Sequence, residues 1–178
     1  MDLTLAQLRS KLAEGLRGGS FYFHGSDGFL KAEGVPLVVD AHLEPGLREF
    51  NLDVFHADTL AVESLASALA TPPVGGGYRV VVVREVQALA PAVRQALEDA
   101  LPRLPPDVAL VATAEEPRGS RARLYVALRE SGVAVRCEPP PESALPGWCV
   151  ERARVAHGVE LEPDAAELLV AAFGGLLG

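Results

Sequence analysis

A glycine-bounded turn near the start of the chain carries the residues whose types and spacing come closest to a known chemistry. Residues 21–32 read Phe-Tyr-Phe-His-Gly-Ser-Asp-Gly-Phe-Leu-Lys-Ala. A phosphate-binding loop requires Gly, four residues, and then Gly-Lys-Ser/Thr. Counted from Gly25, Lys31 fills the lysine position, but Leu30 replaces the second glycine and Ala32 replaces the hydroxyl residue. Leu30 adds a side chain where backbone must approach phosphate, and Ala32 offers Mg²⁺ no oxygen. The turn is therefore predicted to be a degenerate phosphate loop that binds no cofactor.

The second half of a nucleotide site is altered as well. In phosphoryl-transfer sites an acidic residue at the end of a central strand orients Mg²⁺. The valine-rich run here ends instead at Arg84-Glu85. A cation at that position repels the metal, so we expect no catalytic residues and no intrinsic ATPase activity. Lys31 is interpreted as a surface lysine near a helix start and not as a ligand.

Other catalytic patterns are weaker. The two cysteines form no CxxC and the histidines form no HExxH, so no metal site is predicted. Reduced thiols in a cytosolic protein are the favoured interpretation. His24 is interpreted as a hydrogen-bonded structural histidine. Ser26-Asp27 does not match the nucleophile elbow GxSxG and is predicted to cap the following helix.

Strands and helices alternate over residues 20–137 and must position these groups. Predicted strands cover residues 20–24, 50–55, 78–83, 107–113 and 133–137, and predicted helices cover 4–16, 29–43, 60–69, 90–101 and 121–131. Pro36 is expected to interrupt the second helix. The valines at 80–83 are typical of a strand covered on both faces. The alternation predicts a three-layer α/β domain with a parallel sheet and right-handed crossovers.

Three consecutive prolines, 139–141, predict a domain boundary. Residues 1–140 would form the α/β domain and residues 141–178 the start of a small helical domain. Two helices are predicted there, over 143–156 and 163–173, with His157-Gly158 as the stop between them. The chain ends at Gly178 within this helical pattern, so we expect it to be a fragment of a longer protein.

Charge and hydropathy exclude some functions. The net charge of −8 gives no overall attraction to nucleic acid. An arginine-rich stretch at 118–129 is interpreted as a solvated helix face. No run approaches the roughly 18 apolar residues that a membrane helix needs.

The loop at residues 71–77 is the most unusual surface feature, because it places Pro73-Val74 before three glycines. A loop of average composition is polar. Two interpretations remain open: the apolar tip inserts into a pocket on a partner, or Val74 packs against the neighbouring helix.

The order and spacing of these segments resemble the delta subunit of the bacterial DNA polymerase III clamp loader. No single motif is specific, but the resemblance spans essentially the whole chain. It is carried by Phe21–Leu30, Phe50-Asn51, Ala68–Val83, Arg121–Gly132 and Trp148–Gly158.

The resemblance implies an AAA+-like (P-loop NTPase-type) domain that does not bind ATP, followed by the start of a helical lid domain. The family's helical collar domain, which joins the other clamp-loader subunits, is absent from this chain. The implied partners are the sliding clamp (beta subunit), the other loader subunits through that missing C-terminal region, and primed DNA as part of the complex. The implied setting is the cytoplasmic DNA polymerase III holoenzyme, a nucleotidyltransferase, with no membrane contact.

By position, Pro73 and Val74 correspond to the apolar pair that this family inserts into the clamp to open the ring. Many members have bulkier residues there. Arg136-Cys137 resembles the Ser-Arg-Cys arginine finger of related subunits, but Val135 replaces the serine, so we treat the likeness as coincidental. Two alternatives stay open: an active P-loop-type ATPase with an atypical phosphate loop, and another AAA+-like adaptor that binds DNA.

Overall fold

The computed structural model describes residues 2–117 and 119–173. The chain divides into two compact units between Cys137 and Glu138, close to the boundary that the sequence predicts after residue 140. In the described part of the chain, no helix is long and apolar enough to cross a membrane.

The first unit is built on one six-stranded parallel sheet in the order β1-β6-β2-β5-β4-β3. The central strands β5 and β4 are buried along almost their whole length. The predicted parallel sheet, with the valine run as an interior strand, is confirmed. The strands are β1 (Asp2–Leu3), β2 (Gly19–His24), β3 (Leu52–His56), β4 (Arg79–Arg84), β5 (Val108–Ala114) and β6 (Gly132–Arg136).

Within the described residues, six helices connect these strands and two more lie in the second unit. Single 3₁₀ turns lie at Pro45–Leu47, Val86–Ala88, Leu101–Arg103 and Glu142–Ala144. The helices are α1 (Leu5–Ala13), α2 (Gly28–His42), α3 (Arg48–Asn51), α4 (Val62–Ala70), α5 (Pro91–Ala100), α6 (Arg123–Glu130), α7 (Leu145–His157) and α8 (Pro163–Phe173).

Helices cover both faces of the sheet because side chains alternate along each strand. Phe23 of β2 faces α2, whose Gly34 lies close enough that an added Cβ would be 2.3 Å from the Phe23 ring. Tyr22 points to the opposite face and joins the core cluster that includes Val93 of α5 and Leu128 of α6. The result is the predicted three-layer α/β arrangement.

Helix α2 is continuous through Pro36, contrary to the predicted interruption. Proline removes one backbone hydrogen bond and leaves the carbonyl of residue 32 without its helical donor. Pro36 and Ala32 both lie on the exposed side of α2, where water can satisfy that carbonyl. Burial of Val35, Val38 and Val39 on the other side stabilises the helix across this defect.

The strand predicted over 50–55 begins only at Leu52, because Phe50 and Asn51 complete the short helix α3. Tertiary hydrogen bonds hold the chain in this turn. Arg79 Nη1 donates to Phe50 O at 3.1 Å, and the Asn51 side chain bonds to the backbone of Val74. Sequence alternation alone does not reveal such long-range partners.

The second unit contains α7 and α8, as the sequence predicts. Helix α7 ends where Gly158 adopts a left-handed conformation (φ 65°). The N–H groups of Gly158 and Val159 donate to Arg154 O and Ala153 O, which satisfies the last carbonyls of the helix. His157-Gly158 is therefore the predicted helix stop.

Candidate functional site

Three backbone donors of the loop at residues 25–30 are bonded to the protein itself. Gly25 N–H donates to Ala114 O at 3.3 Å and Asp27 N–H donates to Cys137 O at 3.0 Å. Leu30 N–H donates to Asp27 Oδ1 at 2.9 Å, so Asp27 caps α2 as predicted. A working phosphate loop directs such N–H groups at its ligand. Here they close the loop against the ends of β5 and β6.

Lys31 occupies the lysine position of the phosphate-loop motif, and its side chain also bonds to the protein itself. Its Nζ donates to Gly25 O at 2.8 Å and to Ala114 O at 3.3 Å. Lys31 lies near the start of α2 and is half-buried, and its ammonium links the carboxyl ends of β2 and β5. Neither acceptor can be read from the sequence, since both are backbone carbonyls.

The other loop residues also serve packing. Leu30 is 8% exposed and belongs to the core, while Ala32 is exposed. Gly25 has φ 130°, and a Cβ built on it would lie 2.2 Å from Cys137 O. Glycine is required there by the close approach of the chain that follows β6, independently of any phosphate.

Strand β4 ends at Arg84-Glu85, where a nucleotide site would carry its metal-binding carboxylate. Arg84 is exposed, and Glu85 adopts a left-handed backbone (φ 60°) that leads into the next turn. Glu85 N–H donates to Thr113 Oγ1 at 3.1 Å. Among the residues with described positions, no group of three or more His, Cys, Asp and Glu side chains could hold a metal ion.

A buried polar network surrounds His24 at the end of β2. Tyr22 donates to Glu116 Oε2 at 2.9 Å, and Arg129 donates to Glu116 Oε1 at 2.8 Å. Arg129 Nη2 also lies 3.4 Å from His24 Nδ1, and Asp2 Oδ2 lies 3.1 Å from His24 Nε2. The network therefore joins β1, β2 and α6.

Burial changes the pKa of two groups in this network. It lowers the pKa of His24, and together with the hydrogen bond to Glu116 it raises the pKa of Tyr22. Both side chains are therefore neutral at pH 7.

The loop at 71–77 exposes its apolar tip. Val74 is 51% exposed, whereas Pro73 is half-buried. About half of the Val74 side chain is thus left open to solvent, and this exposure favours the interpretation in which the tip enters a pocket on a partner. Gly75, Gly76 and Gly77 all have positive φ between 77° and 81°, which lets the chain reverse tightly into β4.

A side chain from α3 fixes the position of this tip. Asn51 Oδ1 accepts from Val74 N–H at 2.7 Å, and Asn51 Nδ2 donates to Val74 O at 3.0 Å. Asn51 itself is 1% exposed. This paired contact mimics one residue of a β-ladder and orders the loop without covering the Val74 side chain. Sequence reasoning missed Asn51 as a positioning residue, because local alternation places Phe50 and Asn51 in a strand.

The fold and its altered loop define a class. The six-stranded parallel sheet with helices on both faces has an AAA+-like fold of the P-loop NTPase type. A family model described as DNA polymerase III, delta subunit, matches residues 21–138. The chain belongs to this family.

Solved structures agree with that assignment at the level of fold. The Bacillus subtilis DNA clamp loader delta protein superimposes with a TM-score of 0.80 at 20% identity, covering 98% of this chain and 54% of that one. The Thermotoga maritima RuvB Holliday junction branch migration motor gives a TM-score of 0.55 at 20% identity, covering 93% and 53%. A DNA polymerase III gamma subunit-related protein from Thermotoga maritima gives 0.56 at 15% identity, covering 83% and 49%.

The chain therefore spans about half the length of the solved proteins it resembles. A search of curated protein sequences gave no match.

Proposed function

We propose that this chain is the part of a clamp-loader delta subunit that binds the sliding clamp and helps to open it, without hydrolysing ATP. The observation that carries the proposal is Val74, an apolar side chain left 51% exposed on a loop whose backbone is held by Asn51. Membership in the delta-subunit family supports the choice of partner.

Pre-ordering of the loop favours binding. Ordering a flexible loop on association costs free energy, and a loop already fixed in its bound shape avoids much of that cost. The Asn51 contacts and the two prolines before Val74 restrict the tip, so its apolar surface is ready to enter a pocket. The pair Pro73-Val74 is small, however. At ~25 cal/mol per Å² of buried apolar surface, this pair contributes roughly 1–2 kcal/mol less to the free energy of binding than a pair of large side chains would.

The inward hydrogen bonds of Lys31 and of the loop N–H groups support a role without nucleotide. We propose that ATP hydrolysis is left to other subunits, with which this protein assembles on primed DNA in the cytoplasm. The net charge of −8 is consistent with contact to DNA through those partners and not through this chain. An active ATPase directs the N–H groups of this loop at phosphate, whereas those of Gly25, Asp27 and Leu30 are bonded within the protein.

Val74→Asp tests the clamp contact. A carboxylate forced into an apolar pocket is costly, so we expect affinity for the host's sliding clamp to fall about 100-fold or more in surface plasmon resonance. Val126→Asp is the matched control, since Val126 is a 38% exposed valine on α6. Its affinity should stay within about twofold of the wild type. Circular dichroism should show both variants folded. Undiminished clamp binding by Val74→Asp would refute the site.

A further inference from the structure

One large aromatic side chain beside the proposed clamp site has no role in the core. Phe50 is 57% exposed, whereas Phe21 and Phe23 of the same unit are fully buried. An isolated exposed apolar residue needs no explanation, but aromatic rings are enriched at the centres of protein interfaces. The position of Phe50 therefore decides whether its exposure has a function.

Phe50 and Val74 lie at the same edge of the sheet. Phe50 comes just before β3 and Val74 comes just before β4, and the two strands pair in parallel with Leu52 opposite Val80. The segments that enter paired parallel strands lie side by side. The Asn51 contacts with Val74 confirm this, because Asn51 follows Phe50 directly.

The backbone that carries the Phe50 ring is fixed. Arg79 is 8% exposed, and its Nη1 donates to Phe50 O at 3.1 Å. Arg79 Nε donates to Asp53 Oδ2 at 2.9 Å, so the buried guanidinium is paired. Asn51, next to Phe50, is turned inward to Val74. Both apolar side chains thus extend outward from one hydrogen-bonded framework.

Leu47 completes the apolar surface. It is half-buried, and a Cβ built on Gly75 would lie 3.5 Å from Leu47 Cδ1, so this side chain lies beneath the turn after Val74. Exposed Glu49 and the ion pair of Arg48 with Asp40 provide polar groups beside it. An apolar centre with a polar rim is the usual composition of a protein-binding surface. We call Leu47, Phe50, Pro73 and Val74 the docking surface.

We propose that Phe50 is a second anchor for the sliding clamp, contacting an apolar area of the clamp next to the pocket that receives Val74. The inference rests on the proposed function. In this proposal, Phe50 adds apolar contact area to the small area that Pro73 and Val74 provide. Arg79 bonds the backbone of Phe50, and Asn51, the next residue, bonds the backbone of Val74. Because these bonds link the two segments, a rigid partner surface can engage both side chains at once.

Phe50→Ala tests this role in surface plasmon resonance with the sliding clamp. We expect affinity to fall about tenfold or more, as for truncation of an aromatic hot-spot residue. Phe50→Leu, which keeps an apolar side chain, should lose less affinity than Phe50→Ala. Phe173→Ala is the matched control, because Phe173 is 64% exposed in the second unit, and its affinity should be unchanged.

The outcomes separate the two proposals. If Phe50→Ala binds within twofold of the wild type while Val74→Asp loses binding, Phe50 is not an anchor and the clamp site at Val74 stands. If neither variant changes clamp affinity, both the docking surface and the proposed function are overturned. A tenfold loss for Phe50→Ala, with an unchanged melting temperature and normal binding by Phe173→Ala, supports the second anchor.

Discussion

Lys31 matches the phosphate-loop motif by position, but its ammonium bonds to the protein backbone. Leu30 and Ala32, on either side of it, depart from the motif. Lys31 Nζ donates to the carbonyls of Gly25 and Ala114, at the ends of two neighbouring strands. Sequence identifies the missing groups because motifs specify side chains. It cannot identify backbone acceptors that only the fold brings together.

Asn51 should influence both stability and clamp binding. Asn51→Ala removes two hydrogen bonds and leaves the Val74 N–H and C=O without their partner. We expect a loss of about 1–3 kcal/mol in the free energy of unfolding, measured by urea denaturation. Clamp affinity should also fall, because the freed tip must be ordered again on binding.

A second substitution at the same position provides the comparison. Asn51→Asp keeps an acceptor for Val74 N–H but places a buried carboxylate against Val74 O, so it should not rescue stability. Clamp binding by Asn51→Ala at wild-type affinity would show that the tip needs no positioning.

His42 should make stability depend on pH. Its Nδ1 contacts Val38 O at 2.7 Å, and Gly18 N–H donates to its Nε2 at 2.9 Å, so the ring is neutral with the proton on Nδ1. Burial, with a smaller effect from the Arg17 charge, lowers its pKa below the usual 6.5. The unfolded chain therefore binds protons more readily than the folded chain. Stability from His42 is present above pH 6.5 and is lost as pH falls from there toward the lowered pKa.

Thermal unfolding at several pH values between about 5.5 and 7.5, on either side of the ordinary histidine pKa, measures this effect. His42→Gln keeps an acceptor and a donor but does not titrate, so its melting temperature should fall less over this interval than that of the wild type. Tyr78 and Phe21 pack edge-on against the ring. Equal slopes for the two proteins would contradict the assignment to His42; His24, whose pKa burial also lowers, would be the next candidate.

At the scale of elements, the contact between α2 and β2 depends on one glycine. A Cβ on Gly34 would lie 2.3 Å from Phe23 Cε1 and 2.8 Å from Leu5 Cδ2. Phe23 is fully buried, so it has no space into which to move. We expect Gly34→Ala to lower the free energy of unfolding by about 1–3 kcal/mol through overpacking.

Gly28, at the start of the same helix, is the control for that prediction. A Cβ there would meet nothing within 4 Å, so Gly28→Ala should change stability little in the same urea titration. Equal free energies of unfolding for Gly34→Ala and Gly28→Ala would contradict the close packing of α2 on β2 described here.

The sequence predicts best those elements whose start, end or burial follows from neighbouring residues along the chain. The valine run of β4 is one case, and the glycine that ends α7 is another. The two-residue strand β1 carries too few residues for a pattern. Phe50 and Asn51 were missed because their conformation depends on Arg79 and Val74, which are distant along the chain. The apolar tip of the 71–77 loop is visible in the sequence, whereas its support from α3 required the structure.

At the scale of the whole chain, the two regions of functional interest lie at opposite edges of the parallel sheet. The degenerate loop follows β2, at the carboxyl edge where α/β domains bind nucleotides. The docking surface precedes β3 and β4, at the amino edge. The proposed docking surface is therefore separate from the phosphate-loop region, as the proposed function of clamp binding without ATP requires.

Clamp binding measured with and without nucleotide tests this account most directly. Isothermal titration of the sliding clamp into this chain should give the same affinity in buffer alone and in the presence of Mg²⁺ and ATP. Mg²⁺ and ATP alone should give no binding heat with the chain. An affinity for the clamp that appears only with ATP, or micromolar binding of ATP by the chain itself, would contradict the account.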